Sequence, residues 1–67
     1  MQISEVQNRV KGNKRVIVYE EKYPKSGDVR YRVDTYEEKR GIEKLTEQMP
    51  FKNLMAAQTY AKFKLER

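Results

Sequence analysis

Two alternating segments joined by four turn residues constrain this chain more than any other feature. In residues 13–23, and again in residues 28–36, β-branched or aromatic side chains recur at alternate positions. That is the period at which a strand presents its side chains to one face. Between them stands Pro24-Lys25-Ser26-Gly27, where proline presets φ and glycine supplies a positive φ near the end of the turn. The two segments therefore read as an antiparallel hairpin. Pairing Tyr23 with Asp28 sets Val18 opposite Val33, Val16 opposite Thr35, Tyr19 opposite Arg32 and Glu21 opposite Arg30. This register gathers Val16, Val18, Val29, Tyr31 and Val33 on one face. It leaves an opposite-charge pair on the other, each such pair contributing ~0.2–1 kcal/mol.

The remaining breakers, Gly12, Gly41 and Pro50, divide the rest of the chain. A third strand is expected from Ile42 to about Met49 after the polar turn Glu37-Glu38-Lys39-Arg40-Gly41. Pairing Tyr36 with Ile42 aligns Asp34 with Lys44 and Val33 with Leu45, which brings Leu45 and Met49 to the core face. A one-residue slip would turn Leu45 to solvent. Pro50 stops the strand, and Asn53 is a good N-cap for a helix from Leu54 to about Glu66. Leu54, Ala57, Ala61 and Leu65 form its apolar stripe, with Tyr60 at the edge and its hydroxyl in water. Lys62, Lys64 and Arg67 fall in the last turn, where cations favour the helix dipole by ~0.3–1 kcal/mol. At the other end Ile3, Val6 and Val10 have roughly helical spacing, but Gly12-Asn13 ends the pattern too early for a stable isolated helix. Residues 1–12 therefore read as an N-terminal arm ordered on binding. The expected fold is α+β: a three-stranded antiparallel meander packed on one C-terminal helix, β-β-β-α, over residues 13–67.

A chain of 67 residues buries only ~60% of the surface its unfolded form exposes. With 37% of residues charged and 37% hydrophobic, the core must be thin and leaves no room for an enclosed substrate pocket. There is no Cys and no His, which removes thiol nucleophiles, imidazole bases, disulfides and the usual zinc or haem ligands. Glu20-Glu21 and Glu37-Glu38 do not form an acid pair, because neighbours on a strand point to opposite faces. No glycine-rich phosphate loop or nucleophile motif is present. A binding module without catalysis, metal, cofactor or small-molecule substrate is the expectation. The first six residues lack the apolar run of a signal peptide, and no stretch approaches the ~20 apolar residues of a membrane span. A cytoplasmic location away from membranes is expected.

The net charge of +5 is uneven. Residues 1–16 hold Arg9, Lys11, Lys14 and Arg15 against Glu5, and the last helix is again basic, while the middle is nearly neutral. The electrostatic footprint thus lies in the arm and the last helix. The expected register also leaves one sheet face outside the core. On it stand Arg15, Ile17, Tyr19 and Glu21, then Arg30, Arg32, Asp34 and Tyr36, then Ile42, Lys44, Thr46 and Gln48. A twisted sheet of two or three strands fits the DNA major groove, where arginine pairs with guanine and lysine meets phosphate. Tyr19 and Tyr36 could instead stack on unpaired bases. Ordinary exposed sheet faces carry the same residue types, since these combine β-propensity with solubility.

Two stretches resemble a known family. The run Tyr23-Pro24-Lys25-Ser26-Gly27-Asp28-Val29-Arg30-Tyr31-Arg32-Val33 looks like the hairpin of the N-terminal arm-type DNA-binding domain of phage and transposon tyrosine recombinases. Phe51-Lys52-Asn53-Leu54-Met55-Ala56-Ala57 looks like its helix entry. The resemblance implies a freestanding duplex-DNA-binding or regulatory module of a phage or mobile element. Its sheet would enter the groove through Arg15, Tyr19, Arg30, Arg32 and Lys44, with basic residues near the arm, Lys11 and Lys14, on the backbone. The alternative is a small adaptor or inhibitor that binds a protein or a second copy of itself. Its motive is the apolar surplus at Ile17, Tyr36, Ile42, Met55 and Phe63.

Overall fold

The computed structural model describes residues 1–66, so the expected last-turn position of Arg67 lies outside the described residues. Four strands and one helix follow one another: β1 (Gln2–Lys11), β2 (Lys14–Tyr23), β3 (Asp28–Lys39), β4 (Ile42–Phe51) and α1 (Leu54–Glu66). The strands form one antiparallel sheet in the order β1-β2-β3-β4. The domain is α+β as expected, but the three-stranded meander is overturned, because residues 2–11 of the expected arm are the first strand. A bulge hid that strand. The register shifts between Glu5 and Gln7, which inserts Val6 as an extra residue and breaks the period of two. Ile3 and Val10 consequently share a face, and their spacing imitates a helix. Gly12-Asn13 is then a two-residue hairpin turn, with Gly12 at φ 63°, rather than the end of a helix.

The β2–β3 hairpin forms with the expected register, including Tyr23 opposite Asp28, Glu21 opposite Arg30, Tyr19 opposite Arg32 and Val18 opposite Val33. Its turn closes through the Gly27 amide, which donates to the Tyr23 carbonyl at 2.8 Å.

The β3–β4 register differs from expectation. Lys39, not Tyr36, pairs with Ile42, and Arg40-Gly41 alone make the turn. Both turn residues have positive φ, 55° and 79°, the signature of a type I′ hairpin. The expected five-residue loop was three residues too long. An odd displacement moves side chains to the opposite face, so Ile42 and Lys44 stand on the helix-bearing side instead of the outer one. A bulge at Thr46 then restores the inward phase. Met49 pairs with Val33 as a core-face residue, but Leu45 pairs with Tyr36 on the outer face and is 46% exposed.

Val16, Val18 and Val33 form the core with Ala57 and Ala61, bordered by Tyr31, Phe51, Leu54, Tyr60 and Leu65. Each buried valine stabilises the fold by ~1.5–3 kcal/mol through transfer from water. The two alanines let α1 approach the sheet closely over β2, β3 and β4. The helix begins as expected: the Asn53 Oδ1 accepts from the Ala56 amide at 2.8 Å, satisfying one of the first-turn donors. Glu47 of β4 ties down the later turns. It accepts from the Tyr60 hydroxyl and lies 3.5 Å from the Lys64 ammonium, so Tyr60 is held at its polar end rather than left in water.

Candidate functional site

The sheet divides the seven residues nominated from the sequence into two groups. Arg15, Tyr19, Arg30 and Arg32 stand on the outer face, opposite the helix, while Lys11, Lys14 and Lys44 stand on the helix-bearing side.

On the outer face the arginines are already engaged. Arg15 spans the sheet from β2: its Nη1 donates to Asn8 Oδ1 of β1 at 2.9 Å, and its Nε donates to Glu43 Oε2 of β4 at 3.0 Å. Arg32 donates through Nε to Asp34 at 2.9 Å and through Nη1 to Glu21 at 3.3 Å. Its guanidinium also lies 4.9 Å from the centre of the Tyr19 ring, within cation–π range. Gln48 takes the second oxygen of Asp34 at 3.4 Å. Arg30 covers Tyr23 at 5.8 Å. Beneath this layer Ile17 and Asp34 are buried, at 7% and 2% exposure.

The outer face is acidic. Glu5, Glu21, Asp28, Asp34, Glu38 and Glu43 outnumber Arg15, Arg30 and Arg32. Tyr19 registers this environment: burial raises the pKa of its phenol above 10.0, the nearby Tyr36, Asp34 and Glu5 push it further, and Arg32 opposes them. Arginines satisfied by carboxylates would have to give up those partners to read a base, and the surplus acid repels phosphate.

The helix-bearing side has the opposite balance. Lys11 pairs with Lys14, Lys14 with Glu37, and Glu37 with Lys44. Three lysines and one glutamate thus form a single row across four strands. Neighbouring strands lie ≈ 4.8 Å apart, which gives the row a length of about 14 Å. Arg9, two residues before Lys11, lines a cleft with Lys62 of α1, bounded by Gln7, Met55, Gln58 and Thr59. The two basic ends of the sequence meet there. The charge of β1 and of α1 was legible from composition, and their adjacency became visible only when residues 2–11 paired with β2. Arg9 and Lys62 had no motif to nominate them.

Among the described residues no group of carboxylates is placed to hold a metal ion, and no helix is long and apolar enough to cross a membrane. The chain matches no family model, and no curated protein or solved structure matches it.

Proposed function

We propose that this chain is a non-enzymatic nucleic-acid-binding module that holds the phosphate backbone of duplex DNA on its helix-bearing side. The observation that carries this reading is the separation of charge by the sheet. Acids outnumber bases on the outer face, so the net positive charge of the molecule is displaced to the helix-bearing side, its margins and its turns. The Lys11–Lys14–Lys44 row and the Arg9–Lys62 cleft are its densest parts. Duplex DNA carries one charge per ≈ 1.7 Å of axis, so a row about 14 Å long faces roughly eight phosphate charges. Lysines act on phosphate as point charges and carry little base information, so the binding is weakly dependent on sequence. Tyr19 and Tyr36, the stacking pair nominated from the sequence, belong to the other face and take no part in this binding.

The test compares two variants with the same change in net charge on opposite faces, Lys44→Glu and Arg30→Glu, by titrating labelled mixed-sequence duplex over a salt series. Four to five phosphate contacts give the wild type a slope of log K against log salt of roughly −4. Lys44→Glu should weaken binding by about tenfold and flatten the slope by ~1, while Arg30→Glu changes affinity by less than about threefold. Equal effects from the two faces, or affinity no better than that of an unrelated protein of equal charge, would refute the proposal.

A further inference from the structure

Among the described residues both outer strands of the sheet leave a row of main-chain groups unpaired, and the hydrogen-bond pattern fixes which residues present them. The Glu38 amide donates to the Asn13 carbonyl at 2.8 Å, so the odd-numbered residues of β2 bond to β3 and the even-numbered ones to β1. Their partners in β1 are Gln2, Ser4, Gln7, Arg9 and Lys11. The N–H and C=O groups of Ile3, Glu5, Asn8 and Val10 therefore point away from the sheet. By the same alternation β4 turns Glu43, Leu45, Gln48 and Pro50 outward. That edge is blunted, since Pro50 has no N–H to offer. The β1 edge has no proline, and its Ile3 and Val10 are 48% and 57% exposed.

We infer that β1 is the interface of a twofold homodimer, pairing antiparallel with β1 of a second copy so that the two sheets become one. The edge is complementary to itself in one register. Setting Ile3 opposite Val10 of the other copy also sets Glu5 opposite Asn8, and the twofold axis makes each pair occur twice. All four residues carry their side chains on the outer face, as directly opposed residues must. A β-branched apolar pair then closes each end of the seam. Between the ends, the Asn8 amide already donates to Glu5 of its own strand at 2.8 Å, and its second N–H is free to reach Glu5 of the other copy. On the helix-bearing side Arg9 faces Ser4 and Lys11 faces Gln2, so no like charges are opposed. A shift of one repeat loses the fit in either direction, setting Ile3 on Asn8 with Glu5 on Glu5, or Val10 on Glu5. The bulge at Val6 makes the register possible, since in an unbroken strand Ile3 and Val10 would lie on opposite faces. Once the two β1 edges are joined only the proline-bearing β4 edges remain, so assembly closes at the dimer. Arg9 and Lys11 keep their side chains on the helix-bearing side, and the inference requires nothing of phosphate binding.

Amide hydrogen exchange read by NMR at low and high protein concentration, without nucleic acid, tests the edge residue by residue. In the single copy the Glu5, Asn8 and Val10 amides point into water and exchange fast, while those of Ser4, Gln7 and Arg9 bond to β2 and are protected. Raising the concentration should slow the first three by about tenfold or more and leave the outward amides of Leu45 and Gln48 unchanged. Val10→Pro removes an outward donor and no hydrogen bond within the copy. In sedimentation velocity it should stay monomeric where the wild type dimerises, with an unchanged circular dichroism spectrum. Ile3→Lys and Val10→Glu should each weaken the dimer by about fivefold, and the double variant, which sets opposite charges across the seam twice, should be tighter than either. Exchange at Glu5, Asn8 and Val10 that ignores concentration would overturn the inference and leave the edge to a strand of another protein. A dimer protected on β4 or α1 instead, one indifferent to Val10→Pro, or a double variant no tighter than the single ones would overturn it too. DNA affinity is measured separately, so either reading can fail while the other stands.

Discussion

Replacing Arg40 with asparagine should stabilise this protein. Arg40 and Gly41 are the two central residues of the β3–β4 turn, and Arg40 occupies the left-handed region at φ 55°. A long side chain there brings Cβ close to the following carbonyl oxygen, at a cost of ~1–2 kcal/mol. Asparagine tolerates that region much better, and Asn-Gly is the preferred pair for a type I′ hairpin. Part of the strain remains with any Cβ, so the expected gain is ~0.5–1 kcal/mol. For a domain of 60–100 residues each kcal/mol moves Tm by ~4–8 °C, so Arg40→Asn should melt about 2–8 °C higher. Gly41→Ala is the companion variant. A Cβ at Gly41 would meet no atom within 4 Å, so any loss there is conformational, and φ 79° sets it at ~1–2 kcal/mol. Thermal and urea denaturation followed by circular dichroism measure both. An unchanged or lower Tm for Arg40→Asn would refute the two-residue turn, and with it the register that carries Lys44 to the helix-bearing side.

Val33 is fully buried beneath α1, and Val33→Ala should cost ~2–3 kcal/mol in urea denaturation from lost transfer energy and the cavity left behind. Asn53→Ala removes the cap on Ala56 and should cost ~1 kcal/mol in the same assay. Arg32→Ala leaves Asp34 buried without its closest cationic partner and should destabilise by ~2–4 kcal/mol, with Arg32→Ala/Asp34→Asn recovering part of the loss. Above pH 10 the unfolded chain ionises Tyr19 before the folded one, because the folded pKa is raised. The stability contributed by the neutral phenol is therefore complete below 10.0 and disappears as pH rises from there through the folded value. Urea midpoints measured from pH 8 to 11 should fall less steeply for Tyr19→Phe than for the wild type, and parallel curves would contradict this.

What could be read from the sequence followed the unbroken period. Residues 14–23 and 28–36 alternate without interruption, and their register was legible pair by pair because the turn between them has distinctive chemistry. The Asn53 cap and the Leu54, Ala57, Ala61, Leu65 stripe were legible for the same reason. The failures cluster at bulges and at a turn without asparagine. Val6 makes β1 resemble a short helix. Arg40 disguises a type I′ turn that Asn-Gly would have announced. The resulting three-residue error exchanged the faces of residues 42–45, ahead of the Thr46 bulge, which placed Lys44 with Arg15 and Arg32 when it belongs with Lys11 and Lys14. The cations themselves were found. Their sorting into two faces required the register.

That sorting follows from how so charged a chain folds. A sheet of four long strands covered by one 13-residue helix has apolar packing on one side only, yet Ile17 and Asp34 are buried on the other. The outer face accomplishes this with side chains long enough to cross strands: Arg15 reaching from Asn8 to Glu43, and Arg32 lying over Tyr19 between Glu21 and Asp34. Guanidinium groups suit the task because their aliphatic stems cover apolar surface while the planar head makes several directed bonds. Three of the outer-face acids, Glu21, Asp34 and Glu43, hold these guanidinium groups, so part of the chain's acid is drawn to that face while Lys11, Lys14 and Lys44 stand on the other. On this argument the basic side is a by-product of covering the outer face.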